Sequence, residues 1–287
     1  MYPVKARCPA IVAMLLLVAV GCSDGAPESS PEAPDPVESA EPTTGTGPGR
    51  TKLEWGLIRA IGLQWQQIKQ APDRTGILAE KPKYSLFSEE IIIRDFFQDR
   101  EGGFFVDVGC AWPTRANNTY YLEKHLGWTG IGIDALQDYA EAWRKERPVS
   151  RFFRFLVTDR TAASGTFFKS AGLGLSSVDR ENASGTRFGA NVEPEEIEVP
   201  MITLDDLLDR EGVTKVDLLA MDIEGHEATA LAGFDIARFR PDLVVAEGKD
   251  PAVVRFLAAH GYEWIERYTA HDPVNRYFQP KQGAVAE

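Results

Sequence analysis

The sequence predicts a doubly wound α/β domain with a mostly parallel sheet, and three observations carry that expectation. Short apolar runs such as "GFFVDVG", "WTGIGID", "VDLLAMD" and "PDLVVAEG" lack polar alternation, so they read as strands buried on both faces. Helical stretches separate them, the pattern of parallel strands joined by crossovers. Nearly every run ends in a carboxylate: Asp107, Asp134, Asp159, Asp222 with Glu224, and Glu247. Ligands of such sheets bind beyond the carboxyl ends of the strands, where strand order reverses, so this row of acids marks the expected site.

In chain order, residues 1–21 read as a signal peptide. Lys5 and Arg7 precede an apolar run from Ala10 to Val20, too short for a comfortable membrane span. The run closes in "AVGC", which resembles a bacterial lipobox and makes Cys22 the expected lipidation site. An ordinary cleavable signal peptide is the alternative. Residues 22–50 interleave prolines (Pro27, Pro31, Pro34) with acids (Glu28, Glu32, Asp35) and predict a disordered acidic tether. Anchor and tether together predict a lipid-anchored protein of the bacterial cell envelope, cytoplasmic if the signal is not used.

Residues 51–83 form an N-terminal helical segment, in which Leu53, Leu57, Ile61, Trp65 and Ile68 make one helical stripe that reads as a docking face. The folded domain is expected over residues 84–280. Its first helix begins in "SEEIIIRDFF", with Ser88 as N-cap and Glu89 and Glu90 favouring the helix dipole. "NNTYYLEKHL" and "LQDYAEAWRKER" are further helices, and "RFFRFLVTD" is a strand. "GTFFKS" and "EEIEVPMI" look like an added hairpin. In "TLDDLLDREG", Thr203 and Asp206 have capping-box spacing. "GHEATALAGF" and "DPAVVRFLAAHG" are helical, whereas "YEWIERY" and "NRYF" have strand character.

The charge of -12 over 287 residues would repel a phosphate backbone, so no nucleic-acid partner is expected. A neutral or glycosidic small molecule fits better. Cys8, Cys22 and Cys110 are the three cysteines, and the first two lie in the export signal. Cys110 has no recognisable partner histidine and reads as a small buried hydrophobe.

Asp134 ends the second strand, where a carboxylate can accept both hydrogen bonds of a ribose diol. The first turn, "GCAWP", has one glycine, a bulky Trp112 and a Pro113 that lacks an amide donor. It is a poor pyrophosphate cradle, which disfavours a dinucleotide. A phosphate-free cofactor such as S-adenosylmethionine needs only one close backbone approach.

"GFFVDVGCAWPTRANNTYYLEKHLGWTGIGID", "VDLLAMDIEGHEATALAGFD" and "RPDLVVAEG" together resemble the FkbM-type methyltransferases, S-adenosylmethionine-dependent enzymes of class I. The resemblance runs from about Tyr84 to Phe278, with Asn117 where the branch commonly has serine. It implies a Rossmann-like class I methyltransferase fold with an antiparallel C-terminal strand. Asp107 and Gly109 would approach the methionine portion of the cofactor, Asp134 the ribose, and Asp159 the adenine. Asp222, Glu224 and His226 would lie on the methyl-transfer side, and the expected reaction is O-methylation of a sugar or other small-molecule hydroxyl.

Asp222, Glu224, His226 and Glu247 are the candidate general bases. Hard oxygen ligands at Asp222 and Glu247 suit Mg²⁺, but no spacing demands a metal and none is assigned. S-adenosylmethionine is made in the cytoplasm, whereas a lipobox exports the domain. The alternative expectation is therefore a non-catalytic exported lipoprotein that uses the same cleft, or the region Gly172 to Glu195, to bind glycans or a protein.

Overall fold

Runs that are apolar at consecutive positions must bury both faces, and the sheet does so by alternation. The computed structural model describes residues 83–170, 175–186, 192–247 and 250–281. The expected signal, lipidation at Cys22, tether and stripe from Leu53 to Ile68 lie outside the described residues. On one face Val106, Val108, Ile131, Ile133, Leu219, Met221, Val244 and Ala246 join one core. On the other, Phe105, Leu218, Ala220, Leu243 and Val245 join a second. Each buried leucine contributes about 1.5–3 kcal/mol.

The strands are β1 (Phe104–Val108), β2 (Thr129–Asp134), β3 (Arg151–Arg154), β4 (Leu156–Val157), β5 (Ala162–Lys169), β6 (Glu195–Ile202), β7 (Leu218–Met221), β8 (Leu243–Glu247), β9 (Tyr262–Trp264) and β10 (Asn275–Pro280). The main sheet has seven strands in the order β3-β2-β1-β7-β8-β10-β9. β3, β2, β1, β7 and β8 are parallel, while β10 runs antiparallel to both β8 and β9. Strand order therefore reverses between β1 and β7.

Helices α1 (Glu89–Phe97) and α2 (Tyr120–Leu126) cover one face through Ile92, Ile93, Phe97 and Leu122. Helices α5 (Leu204–Arg210), α6 (Glu227–Ala232), α7 (Ile236–Phe239) and α8 (Pro251–Ala259) cover the other. Helix α3 (Ala140–Glu146) packs against β2 and β3, with Trp143 over Gly132, and α4 (Arg180–Ser184) packs by β5; both matter for the site. No helix among the described residues is long and apolar enough to cross a membrane.

Four local expectations need correction. "RFFRFLVTD" is not one strand: β3 stays in the main sheet, whereas β4 pairs with β6 at Leu156↔Met201 and Val157↔Ile202. β2 ends at Asp134, so the chain beyond Arg154 has lost its partner edge and takes another. The expected hairpin is the antiparallel pair β5·β6 of this separate three-stranded sheet. Glu89 and Glu90 lie in the first turn of α1 as expected and are buried there, but Ser88 does not cap the helix. Glu90 accepts from the amides of Lys83 and Tyr84, and Glu89 from that of Phe87.

Thr203 does cap α5 by accepting from the Asp206 amide at 3.0 Å. The return half of the box is relayed: Thr161 Oγ1 donates to Asp206 and accepts from the Thr203 amide. Finally, "YEWIERY" is strand only to Trp264, and a 3-10 turn over Glu266–Ala270 follows.

Candidate active site

The site is built where β1 and β7 end side by side. The register pairs Asp107 with Gly132 on one flank and Ala220 on the other. Gly109 follows at φ +80, and a Cβ there would stand 1.9 Å from the Asp222 carbonyl oxygen. Only glycine allows the β1 turn to pass the β7 turn this closely.

Two carboxylates belong to the β1–β2 side. Asp107 is buried and accepts from Thr119 Oγ1 at 2.8 Å and Asn117 Nδ2 at 3.2 Å. Burial pushes its pKa to about 6, against the pull of these donors and of Arg147. Asp134 accepts from the amides of Ala111 at 3.1 Å and Leu136 at 2.8 Å. Burial pushes it to about 7. Cys110 between them is free and buried, and burial drives its thiol pKa up, as befits a packing residue.

The turn from Gly109 to Thr119 is held from beneath by α3. Ala111 and Ala116 both have positive φ, a conformation alanine adopts only when its surroundings impose it. Trp143 Nε1 donates to the Ala111 carbonyl at 2.7 Å, and a Cβ at Gly132 would collide with the Trp143 ring. Arg147, just beyond α3, has a fully buried guanidinium paired with Glu123 at 2.5 Å. Removing one partner of such a pair costs about 3–5 kcal/mol, because the other charge is left buried alone.

A different chemistry occupies the β7–β8 side. Asp222, Glu224 and Glu247 bring carboxylate oxygens within 4.8 Å of one another. Burial raises the Glu247 pKa well above the carboxylate range, and the charges of Asp222, Glu224 and Glu227 raise it further. Glu247 therefore tends to hold a proton, while Asp222 is exposed. Such an oxygen set suits a hard divalent cation and equally a proton-accepting cluster, and no metal is assigned to it.

Glu224 is a non-glycine residue at φ 55. Its carbonyl accepts from Asn182 Nδ2 of α4 at 3.0 Å and Ser177 Oγ at 3.3 Å. Glu227 accepts from the amides of Ile223 at 2.9 Å and Gly225 at 3.4 Å, and burial pushes it to about 7.

Two expected members stand apart. His226 directs Nε2 to Thr158 Oγ1 at 3.2 Å, and burial lowers its pKa. Asp159 follows β4 of the small sheet, is exposed and pairs with Arg160 at 3.2 Å. The row of acids thus comprises Asp107, Asp134, Asp222, Glu224 and Glu247, with Asp159 on a neighbouring sheet.

Sequence reasoning missed Arg147, Trp143, Thr119 and Glu227. Arg147 and Trp143 share a polar helical stretch whose spacing says nothing of a turn some thirty residues earlier. Thr119 and Glu227 stand inside motifs that were recognised, and their bonds to Asp107 and to the Ile223 amide follow only from the turn geometry.

Strand order and reversal point together define an open, doubly wound α/β sheet of Rossmann-like fold with antiparallel C-terminal strands. The model for the methyltransferase FkbM domain matches residues 107–264, and the chain belongs to that family. A solved TehB-like SAM-dependent methyltransferase from Corynebacterium glutamicum is similar at 12% identity, covering 78% of this chain and 97% of that one with a TM-score of 0.38. No curated protein matches the chain.

Proposed function

We propose that the protein is an S-adenosylmethionine-dependent O-methyltransferase acting on a hydroxyl of a sugar or similar small molecule. The observation that carries this reading is the gathering of Asp107, Asp134, Asp222, Glu224 and Glu247 around the reversal point, beside a turn with no phosphate cradle. The residues fit the cofactor. It is a cation without phosphate, and the turn offers Trp112 and Pro113 where a pyrophosphate would need amides. Buried carboxylates that share a small volume gain from a positive ligand.

When bound, the cofactor supplies an electrophilic methyl group on a sulfonium. Asp107 and its turn hold the amino-acid end, and Asp134 accepts from the ribose hydroxyls. Asp222, the exposed member of the second cluster, takes the proton of the acceptor hydroxyl, with Glu224 beside it. Glu247, already inclined to hold a proton, keeps the cluster from carrying three full charges. His226, engaged with Thr158, orients the turn.

Calorimetry tests the reading: the protein binds S-adenosylmethionine, and Asp134→Ala abolishes the heat. No heat with the wild type leaves the non-catalytic binding module as the better account. The proposed lipid anchor at Cys22 is tested separately by labelled palmitate incorporation, which Cys22→Ser abolishes; incorporation that survives the substitution refutes it.

A further inference from the structure

Among the charged groups that the proposed chemistry leaves unused, Arg147 is the most thoroughly enclosed. Its side chain has no exposure and lies against the rings of Trp143, Phe105 and Tyr120 at 4.5, 5.3 and 5.5 Å. A guanidinium kept so far from water requires partners for its donors. Nε donates to Glu123 Oε2, which also accepts from Ser150 Oγ at 2.5 Å. Nη1 donates to the Pro113 carbonyl at 3.0 Å and Asn117 Oδ1 at 3.1 Å, and Nη2 to Thr119 Oγ1 at 3.2 Å.

These contacts leave Asn117 and Thr119 one way to point. Asn117 Oδ1 accepts from Arg147 and from the Thr119 amide, so its Nδ2 must face Asp107 Oδ2 and the Cys110 carbonyl. Thr119 Oγ1 accepts from Arg147, and of the two acceptors in reach of its single proton, Asp107 Oδ2 at 2.8 Å and Asn117 Oδ1 at 3.1 Å, the nearer and charged one is Asp107. A structural ion pair with Glu123 alone would need neither connection.

We propose that Arg147 is the positioning residue of the cofactor turn, fixing Asn117 and Thr119 as donors so that Asp107 is presented ionised and in one orientation to the cationic end of the cofactor. This rests on the cofactor assignment proposed above. The charged and titratable groups around Asp107 are Arg147 from the end of α3, Asp134 from β2, Asp222 beyond β7 and the neutral thiol of Cys110 in its own turn. Of these, only Arg147 favours the ionised form.

The test uses Thr119→Val, which removes the hydroxyl arm of the relay while leaving the Asn117 arm and the Arg147–Glu123 pair in place, and Arg147→Met combined with Glu123→Gln, which removes Arg147 and leaves no buried charge unpaired. Thr119→Ser restores the hydroxyl and serves as rescue. Two readouts are taken: the carboxyl titration of Asp107 by carbon-13 NMR without cofactor, and S-adenosylmethionine affinity by calorimetry from pH 5.5 to 8.5.

Thr119→Val raises the Asp107 midpoint and weakens binding roughly tenfold at pH 7, with recovery toward high pH. Thr119→Ser returns both readouts to wild type, and the double variant follows Thr119→Val. A folded Thr119→Val with unchanged midpoint and affinity overturns the proposal. Should the double variant not fold, Thr119→Val decides alone. Should the wild type bind no S-adenosylmethionine at any pH, the cofactor reading fails, and the Asp107 titration still decides whether Arg147 works through the relay.

Discussion

The two sides that meet at the sheet's reversal point are built on opposite principles. On the β1–β2 side each carboxylate is surrounded by donors: Asp107 by Thr119 and Asn117, Asp134 by the amides of Ala111 and Leu136. On the β7–β8 side Asp222, Glu224 and Glu247 bring carboxylate oxygens within 4.8 Å of each other. The first arrangement fixes geometry, which suits the binding role proposed for it. The second places carboxylates together and keeps proton affinity high, which suits the proton-accepting role proposed for it. The difference teaches that one edge of one sheet can carry two electrostatic regimes a few residues apart.

The strongest way to break this pairing is to separate the turns. Gly109→Ala places a Cβ against the Asp222 carbonyl and is expected to cost about 2–4 kcal/mol and to abolish cofactor binding, read by denaturant unfolding and calorimetry. Next, Asp134→Asn removes the charged acceptor of the binding half. Affinity for S-adenosylmethionine falls roughly a hundredfold, since hydrogen bonds to a charged group are worth about 1.5–3 kcal/mol, and the melting temperature falls by a few degrees at most, because the Asn amide turns a donor toward one of the two backbone amides of Ala111 and Leu136.

A third expectation concerns pH. Asp107 at about 6, and Asp134 and Glu227 at about 7, have folded pKa values above their unfolded ones, so the folded state binds more protons between pH 4 and 7. Stability contributed by the protonated forms is present at low pH and lost as pH rises through the folded values. The cofactor-free protein should melt roughly 5 °C higher at pH 5.5 than at pH 8. Saturating S-adenosylmethionine should narrow that gap, because a cation favours the ionised carboxylates; equal melting temperatures at both pH values would refute the reading.

Smaller effects sharpen the contrast. Glu247→Gln supplies directly the neutral side chain that folding otherwise obtains by keeping Glu247 protonated, and should stabilise the protein by about 1 kcal/mol at pH 8, with the gain fading toward pH 5. Asn182→Ala removes the shorter of two side-chain hydrogen bonds to the Glu224 carbonyl and should cost about 1 kcal/mol, visible as a slightly lower melting temperature.

The sequence itself determined the layered α/β class, because runs such as "VDLLAMD" can be satisfied only by a strand covered on both faces. It also predicted that Asp107, Asp134, Asp222 and Glu247 share one edge of the sheet, since carboxylates that close parallel runs fall at the carboxyl ends of the strands. The adjacency of Gly109 to the Asp222 carbonyl, the split of β3 from β4 that moves Asp159 to another sheet, and the reach of Arg147 to Asp107 were decided by tertiary structure alone. The physical reason is range. Burial periodicity is local and repeats within a few residues, whereas a hydrogen bond between distant elements is set by how sheets and helices pack, and no spacing along the chain encodes it.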